Sequence, residues 1–221
     1  MSRIALLGGT FDPIHCGHLD IARAAREALG LDTVWFVPAH VPPHRRAPRA
    51  SAAHRFAMTA LAAQGEPGML VSDIEMRDAS PSYTASTLAK LADEGRHGAS
   101  VCFITGADAF REIETWKDFP GILDACHFVV VSRPGVPASS MRTELPKLAG
   151  RMIDLPAPIP DQPAILLVNA PTAEVSSTLV RQTLAEGGTI EGMVPATVAA
   201  YIRKQALYRA QQAPPQDHVH A

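Results

Sequence analysis

The feature that most constrains the fold is the stretch from Gly8 to His18, which has the sequence GGTFDPIHCGH. It follows the apolar run Ile4 to Leu7 and precedes a helix-like stretch that begins near Leu19. Glycines after a strand expose backbone N–H groups, and a helix N-terminus carries partial positive charge. Two histidines, His15 and His18, flank a glycine where that helix begins. This order of strand, glycine turn and helix predicts a phosphate site.

Each part of this stretch has a more ordinary interpretation. A glycine pair after a strand is commonly a plain turn. A single histidine near a helix start is commonly a surface or packing residue. The combination of both in one short stretch indicates a phosphate site much more specifically than either part does.

Apolar and β-branched runs recur along the chain and alternate with helical patterns, which predicts an α/β fold with a doubly wound parallel sheet and helices on both faces. In such sheets, ligands bind at the carboxyl ends of the strands, where the strand order reverses. After the first run, the predicted strands are 33–37, 69–74, 100–105, 127–132, 152–155 and 164–168.

The predicted helices separate these strands and also form the C-terminal part of the chain. In the helix that follows Ser176, we expect Leu179, Val180 and Leu184 to face inward. The others are 19–29, a helix from Ser51 to about residue 63, one through Leu88 and Leu91, 141–148, and a last helix from Pro195 to about Arg209.

Composition limits the classes of protein that this chain can represent. Of its 221 residues, 47% are hydrophobic and 19% charged, which indicates a globular core. We predict a single domain over residues 1–210 and a disordered tail over 211–221. The net charge of −2 provides no basic field for nucleic acid, and no apolar run reaches the length of a membrane span. The three cysteines contain no C-x-x-C pair, so we expect a soluble protein of the reducing cytoplasm without a zinc site.

Two motifs together indicate a family. The segment Gly8 to Pro13, followed by His15-x-Gly17-His18, resembles the signature of nucleotidyltransferases that transfer a nucleotide onto a phosphate. Late in the chain, Ser176-Ser177-Thr178-x-x-Arg181 resembles a second signature of the same superfamily. Taken alone, this second motif is an ordinary serine-capped helix.

Three further stretches narrow the resemblance to one group within this superfamily. They are Pro42 to Arg45, Pro81 to Thr84, and Thr115-Trp116 after Gly106-x-Asp108. With the two signatures, they resemble the bacterial nicotinate mononucleotide adenylyltransferases, and the match extends from the N-terminus to about Arg209. One departure is Ala39-His40, where some relatives carry asparagine before the proline pair.

The resemblance implies a Rossmann-like nucleotidyltransferase fold and transfer of AMP from ATP to nicotinate mononucleotide, giving deamido-NAD and pyrophosphate. It implies catalytic roles for His18, His15 and Arg181, which would act as converging cations on the phosphates. Mg²⁺ would be carried by the ATP phosphates, mainly through water, without a protein metal site. The implied ATP-binding residues are Gly8, Gly9, Thr10, Phe11, Gly106, Asp108, Ser176, Ser177 and Thr178. The implied mononucleotide-binding residues are His44, Arg45, Tyr83, Thr84, Trp116 and Arg133.

Alternatives remain open at several of these positions. Asp108 also suits a helix N-cap, and Trp116 also suits a buried core position. The nearest rival function is phosphopantetheine adenylyltransferase, which shares both signatures. A nucleotide-binding sensor without turnover is a rival from a different class. The sequence leaves a homo-oligomer open.

Overall fold

The computed structural model describes residues 3–43, 47–77 and 79–209. Two predicted mononucleotide contacts, His44 and Arg45, lie outside the described residues, and so does the predicted disordered tail over 211–221.

The described residues form one sheet of seven strands, all of them parallel, in the order β3-β2-β1-β4-β5-β7-β6. This confirms the predicted doubly wound parallel sheet. The strands are β1 Ile4–Gly9, β2 Val34–Pro38, β3 Met69–Val71, β4 Gly98–Gly106, β5 Cys126–Val131, β6 Met152–Asp154 and β7 Ile165–Val168.

Helices cover both faces of the sheet. Because successive side chains of a strand point to opposite faces, Leu7 joins one hydrophobic cluster while its neighbour Leu6 joins the other. The helices are α1 Cys16–Leu29, α2 Ala52–Gln64, α3 Thr84–Asp93, α4 Ala107–Phe110, α5 Ile122–Ala125, α6 Met141–Glu144, α7 Ser177–Ala185 and α8 Ala196–Lys204, with 3₁₀ turns at Ile113–Thr115, Ala138–Ser140 and Pro146–Arg151.

The predicted inward position of Leu179 is wrong. Leu179 is 40% exposed, whereas Val180 is buried and Leu184 is partly buried. Residues four apart share a helix face, so Val180 and Leu184 point inward together. The adjacent residue, Leu179, is rotated away from that face.

Two predicted helices are shorter in the structure. Helix α6 ends at Glu144, because a helical conformation is disfavoured before a proline and Leu145 precedes Pro146. Helix α8 ends at Lys204, since Ala206 and Tyr208 adopt the left-handed backbone conformation, with φ of 50° and 65°.

The strand order reverses between β1 and β4, which are neighbours at the centre of the sheet. Chain connections leave this point in opposite directions and open a crevice at the carboxyl ends of both strands. The Gly8-Gly9 pair ends β1 and Gly106 ends β4. The topology therefore brings together glycines that are almost 100 residues apart in the sequence.

Candidate active site

A cleft of about 750 Å³ opens at this reversal of strand order. It contains every predicted site residue that lies within the described ranges. The predicted residues that line it are Gly8, Gly9, Thr10, Phe11, His15, His18, Tyr83, Thr84, Gly106, Asp108, Trp116, Arg133, Ser176, Ser177, Thr178 and Arg181.

The glycine pair that ends β1 packs against two aromatic rings. A Cβ atom at Gly8 would lie 2.9 Å from the Phe103 ring, and one at Gly9 would lie 2.7 Å from the Phe11 ring. Real Cβ atoms do not approach so closely. A side chain at either position would therefore have to displace one of these rings, whatever the pair contributes to ligand binding.

The side chain of Phe11 is buried next to the cleft and offers little surface to a ligand. Phe11 is 1% exposed and has a φ of +50°, an unfavourable conformation for an aromatic residue. Its ring meets the His18 ring edge to face, with the centroids 4.9 Å apart. The strained turn thus places an apolar ring against the predicted catalytic histidine.

The start of α1 sets the orientation of His18. His15 is the N-cap residue, with extended backbone, and its N–H donates to Nδ1 of His18 at 3.2 Å. The two imidazole rings pack with their centroids 3.7 Å apart. Because Nδ1 of His18 accepts this hydrogen bond, the ring proton of His18 lies on Nε2. His18 therefore has an N–H donor on the ring nitrogen opposite the one that α1 holds.

His15 is neutral, in contrast to the predicted cation. Its side chain is buried, and burial followed by the nearby charge of Arg133 lowers the pKa of His15 to about 3. Within the described residues, Nδ1 of His15 and Nη1 of Arg133 are buried without hydrogen-bond partners. Both side chains pack against Gly17, where a Cβ atom would lie 2.7 Å from that Nη1. Two buried polar groups without protein partners therefore border one glycine.

Arg133 lies with the residues predicted to bind ATP. Its Nη2 donates to the Val175 carbonyl at 3.0 Å, and its Nε lies 3.9 Å from Oδ2 of Asp108. Its aliphatic stem passes over Gly106. These contacts put it beside Gly106 and Asp108, two residues predicted to bind ATP.

The Ser-Ser-Thr motif begins α7 and uses its hydroxyl groups within the protein. Ser176 caps the helix by accepting from the Leu179 N–H at 3.1 Å, and Ser177 donates to the Pro13 carbonyl at 2.8 Å. Thr178 Oγ1 accepts from Arg181 at 3.1 Å. The hydroxyl groups thus attach α7 to the loop after β1 and orient Arg181.

The start of α3 and the aromatic residues Phe103 and Trp116 also line the cleft. The N-cap residue Tyr83 makes no side-chain cap, and the N–H groups of Thr84 and Ala85 in the first turn have no protein acceptor within the described chain. Trp116 is half-buried and packs edge to face against Phe103, with the centroids 6.1 Å apart. Trp116 is therefore both a core residue and a cleft residue.

Several residues of the site were not predicted from the sequence. Arg55 on α2 is 1% exposed and donates to four carbonyls, which hold the loops after β1 and β2 together. In the sequence, the signal for this role of Arg55 was its place as an arginine within an apolar helical pattern. Lys117 lines the cleft with Nζ 5.1 Å from the centroid of the Tyr83 ring.

Ala39-His40, where some relatives carry asparagine, lies in the loop after β2 that Arg55 holds. Ala39 lines the cleft, and the carbonyls of Ala39 and His40 accept from Arg55 at 2.6 and 3.1 Å. The His40 N–H donates to Oγ of Ser82 at 2.9 Å. The backbone of this segment is thus held in place, and Ala39 presents an apolar side chain to the cleft.

The remaining site chemistry concerns metals, thiols and membranes. Over residues 3–43, 47–77 and 79–209, no group of three or more His, Cys, Asp or Glu side chains is placed to hold a metal ion. Cys16, Cys102 and Cys126 are free thiols. Within the same ranges, no helix has the length and apolar character needed to cross a membrane.

Comparison with known proteins agrees with this geometry. The family model described as cytidylyltransferase-like matches residues 6–183. A protein of Moorella thermoacetica named as a probable nicotinate-nucleotide adenylyltransferase is 38% identical, over 94% of this chain and 92% of its own. The nicotinate-nucleotide adenylyltransferase of Salmonella typhi is 37% identical, over 93% of this chain and 98% of its own.

A solved structure supports the fold independently. Plasmodium falciparum nicotinic acid mononucleotide adenylyltransferase, complexed with NaAD, superposes with a TM-score of 0.75 at 18% identity. The alignment covers 94% of this chain and 98% of that one. The shared cleft signatures and the full-length similarity lead to one conclusion: this chain belongs to the cytidylyltransferase-like family and, within it, to the nicotinate-nucleotide adenylyltransferases.

Proposed function

We propose that this chain transfers AMP from ATP to the phosphate of nicotinate mononucleotide, forming deamido-NAD and pyrophosphate in NAD biosynthesis. The observation that carries the proposal is that two different sets of groups line one cleft. We name the first set, His18, Arg181 and the start of α7, the phosphate end, and the second set, the uncapped N-terminus of α3 with Trp116, the mononucleotide end. The first set suits a triphosphate, and the second suits a flat ring that carries a carboxylate.

At the phosphate end, Nε2–H of His18 and the guanidinium of Arg181 would stabilise charge on the triphosphate. His15 would act as a neutral hydrogen-bond donor. Arg133 and Asp108 flank Gly106, so we assign Arg133 to ATP as well.

At the mononucleotide end, Trp116 would stack on the pyridine ring and the first N–H groups of α3 would bind the nicotinate carboxylate. Pro43 and Ala47 line the cleft. His44 and Arg45, which lie between them in the sequence, stay proposed contacts on the family resemblance.

The reaction requires positioning more than acid–base chemistry. An oxygen of the ionised mononucleotide phosphate attacks the α-phosphorus of ATP, a new P–O bond forms, and the bond to the β-phosphate oxygen breaks to release pyrophosphate. The nucleophile is already ionised, so the protein needs only to align the two anions and neutralise the leaving group. Mg²⁺ would enter with ATP as part of the substrate, held by phosphate oxygens and water. We propose the cytoplasm as the compartment, in keeping with three free thiols.

The test is an assay with α-labelled ATP and three acceptors: nicotinate mononucleotide, nicotinamide mononucleotide and phosphopantetheine. We expect label in a dinucleotide, equimolar pyrophosphate, and the highest rate with the acid mononucleotide. Preferential use of phosphopantetheine would overturn the proposal, and ATP binding without transfer to any acceptor would indicate a sensor.

Trp116→Ala is expected to raise KM for the mononucleotide about tenfold with little change in KM for ATP, because loss of one stacking partner costs roughly 1–3 kcal/mol. Trp116→Phe, which keeps an aromatic face, should raise KM for the mononucleotide by a smaller factor. The control is Trp35→Phe on β2, since Trp35 packs against the core. Equal increases in both KM values would show that Trp116 serves core packing alone.

A further inference from the structure

The carboxylate of Asp12 is the centre of a buried network behind the phosphate end of the cleft. It accepts from the backbone N–H groups of Arg49 and Ala50 at 2.8 and 3.1 Å. It also accepts from the hydroxyl of Tyr208 at 2.7 Å, although 196 residues separate the two in sequence. Asp12 is 6% exposed, so water contributes little to its solvation. Three neutral donors therefore satisfy this buried negative charge.

Arg181 lies next to this carboxylate without hydrogen-bonding to it. Its Nη1 donates to the backbone carbonyl of Asp12 at 2.7 Å and lies 4.0 Å from Oδ2 of the same residue. The second distance is too long for a hydrogen bond. An arginine and a carboxylate at such separation would normally close into a bidentate pair. Here Oδ1 accepts two hydrogen bonds and Oδ2 accepts one, so three neutral donors compensate the carboxylate charge without Arg181.

Tyr208 donates its hydroxyl proton to Asp12 and holds that proton more tightly than an ordinary phenol. It is buried, and burial followed by the charge of Asp12 raises its pKa above the ordinary value. Arg55 also lies near Asp12, and it is held by backbone carbonyls that include those of Thr10 and Ala50. Arg181, whose Nη1 lies 4.0 Å from Oδ2 of Asp12, is therefore placed to pair with this carboxylate if one of its donors is lost.

We propose that Tyr208 is a positioning residue: by occupying the Asp12 carboxylate, its hydroxyl leaves the guanidinium of Arg181 available to the phosphates of the nucleotide. The inference rests on the proposed function only in taking ATP as the ligand of Arg181. Without the hydroxyl, Asp12 gains its missing partner from Arg181, which is drawn toward the protein interior and away from the cleft.

The first test is a double-mutant cycle that measures the Kd of Mg-ATP by calorimetry. Tyr208→Phe should weaken ATP binding about tenfold, as for loss of one charge-assisted contact. In an Arg181→Gln background, the same change should have less than about a twofold effect, because no guanidinium remains to be withdrawn. Equal effects in both backgrounds would reduce Tyr208 to a structural role and overturn the proposal.

A second cycle removes the charge that attracts Arg181. In an Asp12→Asn background, Tyr208→Phe should leave ATP affinity nearly unchanged, even though both changes lower the melting temperature. A further tenfold loss there would contradict the proposal. The matched control is Tyr201→Phe, which removes the hydroxyl paired with Nδ1 of His54 at 2.9 Å. It should lower the stability of the protein and leave its affinity for ATP unchanged. Failure of the wild type to bind ATP would refute the proposed function itself.

Discussion

His18→Ala is expected to lower kcat by about 10²-fold or more while the fold remains intact, because the change removes a donor that acts on the transition state. The structure specifies which donor is lost. Nδ1 of His18 accepts from the His15 N–H at 3.2 Å, so Nε2 carries the proton that would reach the phosphate. The Phe11 and His15 rings hold the imidazole in place, so the donor needs little reorganisation during the reaction.

Two variants separate this role from general effects of mutation. His18→Gln places an amide N–H near the position of Nε2 and should retain more kcat than His18→Ala. His97→Ala removes an exposed histidine and should leave kcat unchanged. Steady-state kinetics with melting curves for each variant provide the comparison, and near-normal kcat for His18→Ala would reject the catalytic role.

The enzyme is expected to prefer nicotinate mononucleotide over nicotinamide mononucleotide by at least about 10²-fold in kcat/KM. The two acceptors have nearly the same shape, but the carboxylate offers only acceptors where the amide presents an NH₂ group. A backbone N–H that faces this NH₂ group loses its partner, at a cost of roughly 1–3 kcal/mol. A helix N-terminus also favours the negative charge.

Two backbone N–H groups at the start of α3 are the candidates for this distinction. The Tyr83 N–H already donates to the Pro81 carbonyl at 2.9 Å, so it is not a candidate donor to a ligand. The N–H groups of Thr84 and Ala85, the first two residues of α3, are the candidates that face the cleft.

Substitutions at Thr84 test the main-chain origin of the preference. Thr84→Pro deletes one donor at the first helical position, where proline is well tolerated, and the extended backbone of Tyr83 suits a following proline. It should reduce the preference, whereas Thr84→Ala, which keeps the N–H, should largely preserve it. The measurement is kcat/KM for both acceptors in each variant. Equal use of acid and amide by the wild type would refute this recognition model.

The sequence by itself determined the elements whose signals are local. Glycines after an apolar run and histidines before a helical pattern specify the order of β1, turn and α1 within about 30 residues. Continuous apolar runs identify β4 and β5, because strands buried on both faces need apolar side chains at every position. Parallel strands joined by helices then place their carboxyl ends together, which is why a cleft with the predicted residues follows from a one-dimensional pattern.

Only the tertiary structure decided which side chains meet across long separations. Tyr208 contacts Asp12 over 196 residues and Arg181 reaches the same residue over 169, and no local pattern encodes either pairing. The packing of Gly17 and Val175 likewise placed Arg133 beside the proposed ATP site. These partners are chosen by the cost of leaving a buried charge or polar group unpaired, a cost that exists only after the chain has closed around it.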